Sequence, residues 1–143
     1  MKPVYPIVLF DLDGTLTESG PGILSCVKET MRRLGVPEPP PEILRTFIGP
    51  PLFQSFSQTC GLPDDVSGRA VNLYRDLYET EGLYKNSLYP HTLELLSTLR
   101  KAGAKLCIAT SKPLPQANRV TAIFWLTPLG DFLAVPPYSD ERA

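Results

Sequence analysis

Val8-Leu9-Phe10-Asp11-Leu12-Asp13-Gly14-Thr15-Leu16-Thr17 is the stretch whose reading decides the fold. It continues an apolar run that starts at Val4 and is interrupted only by Pro6. Proline has no N–H to give a ladder, so Pro6 suits the start of a strand. A run without polar alternation predicts a strand buried on both faces, as in parallel sheets. The run stops at two carboxylates, Asp11 and Asp13, and a turn-forming Gly14. Successive side chains of extended backbone point opposite ways, so Asp11 and Asp13 converge while Leu12 turns into the core. In open α/β sheets, ligands bind beyond the carboxyl ends of strands. The Asp pair is therefore the predicted site.

Beyond this stretch, helical patterns dominate. Ile23, Val27, Thr30, Met31 and Leu34 form one stripe, closed by Gly35-Val36-Pro37. Pro41 suits the first turn of a short helix reaching Phe47. Leu52 to Cys60 continues helically after the loop Gly49-Pro50-Pro51. Val66, Ala70, Leu73, Tyr74, Leu77 and Tyr78 recur at helical spacing behind Asp64-Asp65, whose charge favours a helix start. Leu93, Leu95, Leu96 and Leu99 form another stripe, closed by Lys101-Ala102-Gly103. Ala104 to Ala109 reads as a second buried strand, ending at Thr110-Ser111-Lys112-Pro113. A helix over 115–124 and a third strand at Phe132 to Val135 follow. Strands alternating with helices predict an α/β protein with a parallel sheet. Residues 17–88 carry helices only and are too long for one crossover. They read as a helical cap inserted into a Rossmann-like core made of 1–16 and 89–143.

Composition excludes several classes. The 143 residues, 43% apolar and 20% charged, fit an ordinary globular protein. Fourteen basic against fifteen acidic residues give a net charge of −1, with no global pull toward nucleic acid or anionic lipid. Cys26, Cys60 and Cys107 are odd in number and widely spaced, which implies neither a disulfide framework nor a zinc site. The apolar run before Asp11 is too short for a signal peptide or membrane span, so a cytoplasmic location is expected. Sixteen prolines cluster at loops such as Pro37 to Pro41. The oligomeric state is not readable.

The pair Asp11/Asp13 suits phosphoryl transfer. Such a reaction needs a nucleophile, a cation, donors around the phosphoryl oxygens and an acid for the leaving group. Asp11 can serve as nucleophile and metal ligand, and Asp13 as general acid and then general base. Gly14 lets backbone approach a small anion, and Thr15 can donate to it. Thr110, at the end of the second strand, can bring its hydroxyl, with Ser111 beside it. Lys112 reads as a surface lysine, with a substitute charge role as the sharper alternative. His91 reads as a helix-start or surface residue, and Arg45 and Arg75 as solvated helix faces. Tyr74 and Tyr78 read as core.

The ten-residue stretch resembles the first motif of the haloacid-dehalogenase-like (HAD) superfamily. Cys107-Ile108-Ala109-Thr110-Ser111-Lys112-Pro113 resembles its second motif in phosphoglycolate-phosphatase-like members. Phe47-Ile48-Gly49-Pro50-Pro51-Leu52 and Tyr89-Pro90 look like landmarks of that branch. The resemblance covers residues 4–118. It implies a Rossmann-like core with a helical cap and Mg²⁺-dependent hydrolysis of a small phosphomonoester, phosphoglycolate- or nucleotide-like, through an aspartyl-phosphate. It assigns Asp11 as nucleophile and Asp13 as acid/base. The metal falls to Asp11 and the Asp13 backbone carbonyl, and phosphate to Thr110. Asp13 argues against a true dehalogenase. Manganese-binding Asp-x-Asp glycosyltransferases share the pair but not the Gly-Thr-Leu continuation. A sugar phosphomutase would use the same two Asp residues.

The resemblance also implies a third-motif Lys and a fourth-motif acidic cluster. No lysine follows Lys112, and Val135 stands where Gly130-Asp131 would require an acidic residue. Gly130-Asp131 is therefore read as a coincidence, and Trp125 stands where the family usually has Gly. The chain reads as truncated, by nature, by fragmentation or by frameshift. A catalytically impaired remnant that at most binds phosphate and Mg²⁺ is the alternative to an active phosphatase.

Overall fold

A computed structural model of the chain describes residue 2, residues 4–124 and the backbone of 132–134. The first strand, β1, is Ile7–Phe10, and the chain then turns through Asp11 to Leu16 into a two-residue strand, β2, at Thr17–Glu18. Four helical segments follow. Helix α1 is Gly20–Leu34, α2 is Pro41–Leu44 with a 3₁₀ turn at Arg45–Phe47, and α3 is Leu52–Gln54, continued by π-helical turns at Ser55–Thr59. Helix α4 is Asp64–Thr80, and a 3₁₀ turn, Gly82–Tyr84, leads to strand β3, Ser87–Leu88. Helix α5 (Thr92–Lys101), strand β4 (Lys105–Ala109), helix α6 (Leu114–Ile123) and strand β5 (Phe132–Ala134) complete the order.

The main sheet is parallel, in the order β1-β4-β5. Ile7 lies opposite Lys105 and Phe10 opposite Ile108. Cys107 to Ala109 pair with Phe132 to Ala134. The third strand is thus where the sequence puts it, except that Val135 lies outside the described residues. So do Trp125 and Gly130-Asp131.

Burial of β1 departs from expectation. Leu106, Cys107 and Ile108 of β4 are buried, but Ile7 and Leu9 of β1 are 55% and 66% exposed. A continuous apolar run predicts two covered faces, whereas β1 is an edge of this sheet and has one covered face among the described elements. Helix α5 shows the same one-sidedness: Leu96 is buried, while Leu93 and Leu95 are 40% and 48% exposed.

The helices between β2 and β3 pack on each other. Ile23, Val27 and Met31 of α1 face Ala70, Tyr74 and Tyr78 of α4 in a hydrophobic cluster continuous with Leu12, Leu106 and Val120. Phe47 meets Phe56 edge to face, with centroids 5.1 Å apart. Helix α1 ends at Gly35, whose φ of 69° places it in the left-handed region; the next amide, of Val36, donates to Met31 O. Near its start, Gly22 lies so close to Gly82 that a Cβ there would overlap the Gly82 carbonyl. The ladder of β2 and β3 is antiparallel, Thr17 opposite Leu88 and Glu18 opposite Ser87. It lies within the stretches that the sequence predicts to be helical or loop.

Candidate active site

The turn after β1 is built on one carbonyl. Leu12 O accepts from the amides of Thr15, Leu16 and Thr17 at 3.3, 3.0 and 3.1 Å. The Thr17 hydroxyl adds a bond at 3.3 Å. Gly14 closes the turn, donating its N–H to Thr17 O at 2.8 Å with φ of 80°. Leu12 is fully buried and anchors the turn. The Gly14 amide is therefore engaged within the turn, but no atom lies within 4 Å of where its Cβ would be, which leaves open space. Thr15 is exposed, and its amide donates to Leu12 O.

Asp11 is exposed at the strand end, and its Oδ1 accepts the Leu12 amide at 2.9 Å. Asp13 is half-buried. Its Oδ1 is buried without a hydrogen-bond partner, and its Oδ2 lies 3.4 Å from Lys112 Nζ. Strand β4 runs parallel beside β1, so Thr110 emerges at the same end of the sheet. Thr110 is buried, and its Oγ1 accepts the Lys112 amide at 3.1 Å. The Ser111 hydroxyl donates to Gly49 O at 2.8 Å, joining the strand end to the Gly49-Pro50-Pro51 loop. A cavity of about 60 Å³ lies at this seam, bordered by Asp13, Ser111 and Lys112 on one side and Phe47, Gly49 and Tyr74 on the other.

Lys112 overturns the expectation of a surface lysine: it is only 8% exposed. Its ammonium donates to Tyr78 Oη at 3.0 Å and sits 4.3 Å from the centre of that ring. Burial alone would push the Lys112 ammonium down, but Asp13 and Tyr78 outweigh it and hold its pKa above the ordinary value. Burial raises the Tyr78 phenol, with Lys112 pulling the other way. Tyr78 is in the core, as the sequence predicts, and its hydroxyl also meets Lys112. The overlooked signal is that a buried tyrosine hydroxyl needs a polar partner, and Lys112 is that partner. His91 is where expected, exposed at the start of α5, with Nδ1 3.0 Å from Glu94 Oε2.

Two hard-oxygen residues thus stand at one strand end, where the Asp11 carboxylate is exposed. That donor set fits Mg²⁺, which takes one or two carboxylates and fills its shell with water and substrate phosphate. Among the described residues, no group of three or more His, Cys, Asp or Glu could hold a metal ion. No described helix is long and apolar enough to cross a membrane.

The pattern of haloacid dehalogenase-like hydrolases matches residues 8–133. The chain belongs to that family. It is 47% identical over 120 residues to a 5′-nucleotidase of Pseudomonas aeruginosa, covering 84% of this chain and 54% of that protein. It is 34% identical over 129 residues to a phosphoglycolate phosphatase of Rhodobacter capsulatus, covering 85% of this chain and 58% of that one. The solved structure of protein tyrosine kinase A from Mycobacterium tuberculosis superposes with a TM-score of 0.83 at 34% identity, covering 92% of this chain and 60% of that one. The chain spans little more than half the length of these relatives.

Proposed function

We propose that the chain hydrolyses small phosphomonoesters through an aspartyl-phosphate on Asp11. The carrying observation is that Asp11 and Asp13 follow β1 and Thr110 follows β4 at the same end of two paired parallel strands, with Asp13 bordering a small cavity. In the first step an Asp11 oxygen bonds to phosphorus, the ester P–O bond breaks, and Asp13 gives its proton to the leaving oxygen. In the second step water attacks phosphorus, Asp13 takes the water proton, and the bond between phosphorus and the Asp11 oxygen breaks, releasing phosphate and restoring the Asp11 carboxylate. Thr110 accepts the Lys112 amide at Oγ1 and keeps its own hydroxyl hydrogen to donate to a phosphoryl oxygen. Ser111 borders the cavity, and the open space at Gly14, with Thr15 exposed beside it, leaves room for a phosphoryl group at the turn. Mg²⁺, held by Asp11 and the Asp13 carbonyl, would supply positive charge to the phosphoryl oxygens. In this reading 17–88 acts as a cap over a core of 1–16 and 89–143, and its Gly49-Pro50-Pro51 loop limits the size of the leaving group. Three free thiols, two of them buried, support a reducing, cytoplasmic setting.

The test is turnover of an aryl phosphate by the whole chain with Mg²⁺. Asp11→Asn is expected to lower kcat by about 10³-fold or more, as removal of a nucleophile does. Turnover that survives Asp11→Asn sinks the mechanism. A folded chain that binds phosphate without turnover supports the impaired-remnant alternative. Isomerisation of a hexose phosphate without phosphate release would favour a mutase.

A further inference from the structure

We propose that Lys112 is a positioning residue, fixing Asp13 through one carboxylate oxygen and tying that alignment to the seating of the helical cap. The two oxygens of Asp13 stand in different surroundings. Oδ2 is 3.4 Å from the Lys112 ammonium, while Oδ1 is buried with no partner. One oxygen is held, and the other is left for a proton or a substrate atom at the cavity that Asp13 and Lys112 both border.

Lys112 is restrained at its backbone by Thr110 and at its ammonium by Tyr78. Its amide is bonded to Thr110 Oγ1, its ammonium to Tyr78 Oη, and its charge lies against the Tyr78 ring. Burying a cation carries a desolvation penalty of several kcal/mol unless good partners surround it. Here one partner, Asp13, comes from the strand end and the other, Tyr78, from α4. Neither element supplies both. Lifting α4 away removes Tyr78 and readmits water, so the Lys112 ammonium is fixed against Asp13 only when the helices are seated. The Ser111–Gly49 bond crosses the same seam. Alignment of the acid/base group thereby depends on closure, and a misplacement of about 1 Å can cost ~10²-fold in rate.

The inference rests on Asp13 acting as the acid/base, and leaving-group dependence separates the two ideas. A good aryl leaving group needs little protonation, whereas an alkyl leaving group needs a well-aligned acid. The whole chain, Lys112→Met, Lys112→Arg and Tyr78→Phe are compared on an aryl phosphate and on glycerol 2-phosphate with Mg²⁺. Lys112→Met is expected to lose ~10²-fold in kcat on the alkyl ester and far less on the aryl ester, with KM little changed. Tyr78→Phe should show the same pattern more weakly, and it carries the comparison if Lys112→Met does not fold. Lys112→Arg should recover part of the alkyl activity. Equal losses on both esters, or a loss confined to KM, overturn the inference. A wild-type chain that turns over neither ester sinks the phosphatase reading and moves the test to the Lys112 ammonium NMR resonance in lysine-labelled protein. That resonance should shift with both Asp13→Asn and Tyr78→Phe, and a resonance indifferent to either overturns the inference.

Discussion

Gly14 is constrained by its backbone and not by its neighbours. Its φ of 80° lies in the left-handed region, and its N–H is bonded to Thr17 O. A methyl group there would meet no neighbour, so Gly14→Ala isolates backbone strain from steric overlap. It is expected to destabilise the fold by about 1–2 kcal/mol in urea unfolding. The cysteines differ in the same residue-by-residue way. Burial pushes the Cys26 thiol up to about 11, so at pH 8 only about one molecule in a thousand carries the thiolate. Raising the pH toward 11 increases that fraction. Iodoacetamide at pH 8 should therefore label partly exposed Cys60 well before buried Cys26 and Cys107, as mass spectrometry of the native protein would show. The placement of Asp11, Asp13 and Thr110 just past strand ends was legible because strand ends announce themselves through a switch from apolar to polar residues. Lys112 was not. Its partners Tyr78 and Asp13 are distant in sequence, and no local pattern reports that a lysine after a strand turns inward.

Among the elements, α1 and α4 were readable because each has an apolar stripe at helical period. Strands β2 and β3 have two residues each, too few to show a period, and their pairing is a long-range event. The exposed face of β1 was misread for a related reason: an apolar run reports preference for burial, not whether a neighbour exists to provide it. Glycine contrasts show how packing overrides propensity. Gly68 lies inside α4 with nothing near its missing Cβ, so Gly68→Ala should stabilise the protein by about 0.5–1 kcal/mol. Gly22 also lies inside a helix, yet Gly22→Ala drives a methyl into the Gly82 carbonyl. It should destabilise by about 1–3 kcal/mol despite the better propensity. Paired thermal melts of the two variants would check the opposite signs.

At the scale of the molecule, β1 exposes Ile7 and Leu9 on one face, with Val4 and Tyr5 exposed just before it. It also has a single strand neighbour in the described sheet. Exposed apolar edges of this kind promote association. Ile7→Thr combined with Leu9→Thr is expected to reduce self-association in light scattering while changing the unfolding midpoint little. An unchanged scattering profile would count against that role. The β2–β3 ladder bears on a different matter. Thr17–Glu18 and Ser87–Leu88 lie side by side, about 4.8 Å apart as paired strands do. To the strand that carries Asp11, everything between those two ribbons is a loop with its ends already clasped. The entropy of closing such a loop grows only slowly with its length. The ladder is thus a graft point. The helices between the two ribbons can be lengthened, shortened or exchanged at small entropic cost, while β1 and the turn after it keep their place.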